Sequence, residues 1–157
     1  MSFLKGFKYA FCGIIHCIKN ERNMRVHTVA ALYVLLFARF FDFGRTEYVL
    51  LLLTIGGVLA AEAINTAVET LCDKVCREKD AKIKAAKDAA AGAVLILASF
   101  AAVIGVVMFS QPEGWVRAYE YYISHIPGLC IMGAVTVLSL VYIIFPFGKK
   151  KERGKNK

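Results

Sequence analysis

Residues 48–73 read YVLLLLTIGGVLAAEAINTAVETLCD, and this stretch decides what kind of chain it is. Up to Ala61 it carries no charge. Beyond Ala61, residues Glu62, Asn65, Thr66, Glu69 and Asp73 follow at i, i+3, i+4, i+7 and i+11, the spacing of one helical face. The length and apolarity of the first half predict a helix entering a bilayer. A carboxylate at membrane depth costs at least about 2.5 kcal/mol on insertion scales, so the polar face must meet protein, water or a ligand. Spacing alone leaves two readings open, a functional site or a polar seam that joins helices through Asn65 and Thr66. Ionisable residues are rarely needed for helix association, which favours function.

Outward from this stretch, 21 residues without charge run from Ala89 to Phe109 and 22 from Ile126 to Phe147. At 1.5 Å per residue each covers the roughly 30 Å of hydrocarbon. Val26 to Phe43 is a weaker fourth span, with Arg39 and Asp42 near one end where they can reach the interface. A mean hydropathy of +0.55 over 157 residues sets the chain apart from disordered and ordinary soluble domains.

The net charge of +8 does not indicate nucleic acid, because the basic residues alternate with the long apolar stretches. Seventeen of the 20 Lys and Arg residues lie before residue 26, between residues 73 and 88, or after residue 147. Four alternating spans would put all three groups on one side, which the positive-inside rule makes cytoplasmic, leaving Arg39, Arg45 and Arg117 near the other face. The expected organisation is a core over residues 1–111, an external linker over 112–125, an extra transmembrane helix over 126–148 and a basic cytoplasmic tail over 149–157. The fold class is all-α, an integral membrane helical bundle. Three of its transmembrane helices form the core and one C-terminal helix is additional.

Residues 3–19 place Phe3, Phe7, Phe11, Ile14 and Ile18 opposite Lys5, Lys8, Cys12, His16 and Lys19, as in an amphipathic helix lying in the headgroup layer. No cleavable signal sequence is apparent at the N-terminus. The segment after Ser110, with Trp115, Tyr119, Tyr121 and Tyr122, fits an interfacial linker anchored by aromatics. Four of the five cysteines fall on the expected cytoplasmic side, so no disulfide framework is expected. The chain contains neither a Walker-type phosphate loop nor a kinase Gly-rich loop. Any phosphoryl chemistry must therefore use another scaffold. Glu21 precedes the first span and Lys87-Asp88 the third, at the level of Glu69 and Asp73. Carboxylates and lysine converging at an aqueous interface suit Mg²⁺ with phosphate oxygens.

Four blocks together are familiar: Phe7-Lys8-Tyr9-Ala10-Phe11, Glu21-Arg22-Asn23-Met24-Arg25-Val26-His27, the Glu62 to Asp73 stretch, and Ala86-Lys87-Asp88 running into Ala89 to Leu95. From about residue 3 to residue 109 the sequence resembles the small prokaryotic diacylglycerol kinase and undecaprenol kinase family. The resemblance implies an ATP-dependent lipid kinase in the cell membrane, a homotrimer with composite sites on the cytoplasmic side. It also implies that Glu62 is the catalytic base and that Glu21 and Glu69 bind Mg²⁺ and contact ATP. Tyr9, Lys87 and Asp88 match nucleotide-contacting positions, as do Glu78, Lys79 and Asp80 by alignment position alone, while Asn65 and Asp73 match supporting positions. The Glu-Arg-Asn and Asn-Thr-Ala variants resemble the branch whose acceptor is undecaprenol, with diacylglycerol as the alternative. A reading from a different class is a non-enzymatic proton-coupled carrier whose carboxylates form a relay.

Overall fold

A computed structural model describes residues 3–75 and 80–145. The described residues form six helices: α1 (Phe3–Asn20), α2 (Arg22–Ala38), α3 (Arg45–Val75), α4 (Ala81–Met108), α5 (Pro112–Ser124) and α6 (Ile126–Ile144). Helices α3 and α4 form the most extensive pair, α2 packs on α3, and α6 lies against α2 and α5. The chain is thus a helical membrane bundle.

Helices α3, α4 and α6 are long and apolar enough to cross a membrane. The fourth expected span differs. The α2 helix begins at Arg22 and stops at Ala38, so its 17 residues cover only about 25 Å. It ends early because residues 39–44 turn a corner, where Phe41 is buried and Asp42 is held by Arg117. At 31 residues, α3 is about 46 Å long and outreaches the hydrocarbon by several turns. Its last two turns, Glu69 to Val75, carry Glu69, Asp73 and Lys74.

The expected linker over residues 112–125 is largely helical. Pro112 at the first position and Glu113 in the first turn are start signals that the sequence reading passed over in favour of the aromatics. Around the residue 39–44 corner, Phe41 sits 4.7 Å from Phe109 and 5.5 Å from Trp115, both edge-on. Arg117 donates to the Phe40 carbonyl at 2.7 Å and to Asp42 at 2.9 Å. Arg39 lies over the rings of Phe40 and Tyr121. Beneath this cap Ala38, Leu51 and Met108 make the buried core, flanked by Val34, Phe43, Ile55, Ile104 and Phe109.

Elsewhere the bundle turns large apolar side chains outward, among them Leu53 on α3, Leu95 on α4 and Leu138 on α6, each at least 66% exposed. A surface of that kind is at home in lipid or against another membrane helix. On α1, Phe3, Phe7 and Phe11 are likewise exposed, as an interfacial helix requires.

Candidate active site

The polar face of α3 divides by depth. Glu62 is 2% exposed and Asn65 6%, whereas Glu69 is half-buried and Asp73 exposed. Thr66 returns its hydroxyl to the Glu62 carbonyl at 3.0 Å, a local bond that leaves the Glu62 carboxylate uninvolved. Asn65 Nδ2 donates to Glu69 Oε1 at 3.1 Å, orienting a carboxylate one turn nearer the helix end. Two oxygens on this face, Glu62 Oε2 and Asn65 Oδ1, are buried without a hydrogen-bond partner. Buried polar atoms are ordinarily paired, so both are poised for a group from outside the protomer.

The α1–α2 corner brings in the third carboxylate. Glu21 caps the break between the helices, its amide bonded to the Cys17 carbonyl at 2.9 Å, and its side chain lies within electrostatic reach of Glu62, as does that of Glu69. Two further carboxylates within electrostatic reach of Glu62 give this end of α3 a negative field. Cys17 on α1 faces the same spot. Burial pushes its thiol above the usual range, a hydrogen bond with Thr66 opposes that shift, and repulsion from Glu21 and Glu62 adds to it. In the sequence Cys17 is one of five cysteines whose spacing matches no familiar metal site, four residues before Glu21.

A second cluster forms where α3 and α4 run side by side. Lys87 Nζ meets Asp73 Oδ1 at 2.8 Å, both partly exposed, a pair weak enough in water to exchange for a phosphate. Asp80 accepts from the amides of Lys82 and Ile83, so one of its oxygens caps α4. Asp88 is exposed on α4, and Tyr9 is 60% exposed on α1. Glu78 and Lys79 lie outside the described residues. The fold thus brings Glu21, Asn65 and Glu69 near Glu62, with Lys87 paired to Asp73 one turn further along α3 and within electrostatic reach of Glu69.

Among the described residues no group of three or more His, Cys, Asp or Glu is arranged to hold a metal ion. The oxygens of Glu21 and Glu69 still fit Mg²⁺, which is bound through one or two carboxylates and completes its shell with phosphate and water. A divalent cation carried on phosphate oxygens needs no dedicated cage of protein ligands.

Residues 8–109 match the sequence profile of a family described as prokaryotic diacylglycerol kinase. An undecaprenol kinase of Bacillus subtilis is 37% identical over 107 residues, 68% of this chain and 87% of that protein. A diacylglycerol kinase of Synechocystis sp. is 32% identical over 71% of this chain and 64% of its own length. A diacylglycerol kinase of Haemophilus influenzae is 27% identical over 68% and 92%. No solved structure gives a significant match.

Proposed function

The chain belongs to the prokaryotic diacylglycerol kinase family and is a membrane lipid kinase, and from that premise we propose that it transfers the γ-phosphoryl group of ATP to undecaprenol, with Glu62 as the base. The observation that carries the role of Glu62 is its carboxylate, 2% exposed with Oε2 unpartnered and with Glu21 and Glu69 close by. In this reading Glu62 accepts the proton of the lipid hydroxyl as its oxygen bonds to the γ-phosphorus. The bond to the β,γ-bridging oxygen breaks, and ADP leaves. Glu21 and Glu69 hold Mg²⁺, which when bound offsets charge on the nucleotide phosphates. Lys87 turns from Asp73 toward the phosphates, and Asn65 keeps Glu69 oriented. Tyr9 and Asp88 border the nucleotide on the α1 and α4 sides, with Asp73 and Asp80 nearby.

This arrangement needs cellular ATP, which places the α1–α2 corner and the start of α4 on the cytoplasmic side, in keeping with the basic residues there. The apolar exterior of α3 and α4 supports assembly as a homotrimer in which a neighbouring copy closes the site. Undecaprenol is favoured over diacylglycerol by the 37% identity to an undecaprenol kinase, against 32% and 27% to the two diacylglycerol kinases. Purified protein in mixed micelles with labelled ATP and Mg²⁺ tests the assignment. Undecaprenol is expected to be phosphorylated at a kcat/KM at least about tenfold above that for diacylglycerol, a difference of about 1.4 kcal/mol in transition-state binding. Reversed preference would make diacylglycerol the acceptor, and equal preference would overturn the selectivity for undecaprenol.

A further inference from the structure

The α5–α6 hairpin lies beyond the residues that match the family, and its contact with the kinase core is not sealed along its length. Tyr33 of α2 donates to Thr136 of α6 at 2.8 Å. Beside that contact runs a seam of open space. It begins as a cavity of about 160 Å³ between α2, α5 and α6, bounded by Leu36, Ile131 and Val135. It continues as a crevice of about 380 Å³ in which Val135 again takes part, now with Leu32 and Leu138. Leu32, Leu36 and Arg39 follow at i, i+4 and i+7 on α2, and Gly128, Ile131, Val135 and Leu138 at i, i+3, i+7 and i+10 on α6, so each wall of the seam is one helical face.

The mouth of the seam differs from its apolar walls. Arg39 stands just past the last residue of α2 and lines the cavity together with Tyr121 and Tyr122. Its guanidinium lies 4.6 Å from the ring centre of Phe40 and 4.9 Å from that of Tyr121, and Nη2 donates to the Tyr122 hydroxyl at 3.3 Å. Seated on the rings, the exposed fork keeps most of its five donors for other acceptors. No carboxylate among the described residues pairs with it, and Asp42 in the same corner is held by Arg117 at 2.9 Å. A positive charge fixed at the rim of an apolar seam between membrane helices suits an amphiphile with an anionic head, and the planar fork suits a phosphate.

We propose that the α2–α6 seam binds one anionic phospholipid, its phosphate on Arg39 and the Tyr122 hydroxyl and one acyl chain laid between α2 and α6. The lipid completes the contact between hairpin and core. Glu62 lies about 25 Å along α3 from this end, so the site is separate from the one that receives the lipid acceptor.

Delipidated full-length protein in detergent is titrated with phosphatidylglycerol, and bound lipid is counted by native mass spectrometry, as wild type, Arg39→Gln, Val135→Trp and Lys5→Gln. Phosphatidylcholine with the same chains and inorganic phosphate are run in parallel. Expected is one tightly held phosphatidylglycerol per chain in wild type and in Lys5→Gln, which alters only the basic face of α1. Its affinity is expected to fall at least about tenfold in Arg39→Gln, the loss of a charge-assisted hydrogen bond. Val135→Trp fills the seam while leaving Arg39 in place, and a comparable fall is expected there. A cooperative thermal transition in each variant confirms that it is folded. Wild-type affinity in either variant would overturn the site, since Arg39→Gln tests the head and Val135→Trp the chain. Equal affinity for phosphatidylcholine would overturn the preference for an anionic lipid, and displacement of the lipid by inorganic phosphate would reduce Arg39 to a contact for free anions.

Discussion

Glu62 and Glu69 share one face of α3 but differ in surroundings, and the difference decides what each can do. Glu62 is enclosed, with one oxygen unpaired, while Glu69 is half-buried and steadied by Asn65. Glu62→Gln is therefore expected to lower kcat by about 10² to 10⁴, the range of a positioned general base, with little change in nucleotide binding. Glu69→Gln is expected to weaken Mg²⁺-dependent nucleotide binding, because a neutral amide is a poorer ligand for a hard cation. Steady-state kinetics beside equilibrium nucleotide binding on folded protein checks both. Loss of ATP binding in Glu62→Gln with a fully active Glu69→Gln would exchange the roles, and normal turnover in both would make the stripe structural.

Among the helices, α5 depends most on one residue. A Cβ at Gly114 would overlap the ring of Phe41, which is itself locked among Phe43, Phe109 and Trp115. Gly133 on α6, by contrast, has open space where a side chain would go. Gly114→Ala is expected to destabilise by about 1–3 kcal/mol through overpacking. Gly133→Ala should be neutral or stabilising, since alanine is favoured over glycine in a helix by roughly 1 kcal/mol. Thermal unfolding in one detergent, followed by circular dichroism, compares them. Equal midpoints would show that the corner yields to accommodate the methyl group.

For the molecule as a whole, the separation between the core and the hairpin can be tested by shortening. Every residue assigned to chemistry lies before residue 89, so a chain ending after Gln111 is expected to insert, assemble and retain kcat within a few-fold. Stability should fall with the loss of the aromatic cap. An inserted and assembled but inactive product would place the hairpin inside the catalytic unit.

The amino-acid sequence by itself determined the helical membrane character and the polar stripe, because hydropathy and the 3.6-residue period are local properties that any packing must respect. It also carried the family resemblance, which implies the candidate site residues. Local pattern misjudged α2, whose end is set by a corner that Arg117 holds from 75 residues away. Nor did local pattern show that α5 is helical or that Trp115 and Tyr121 pack on that corner. The nearness of Glu21 to Glu62 and the burial of Cys17 and Arg25 are all long-range. They follow from how α1, α2, α3 and α6 pack, and no periodicity within a single helix encodes which face of another helix it will meet.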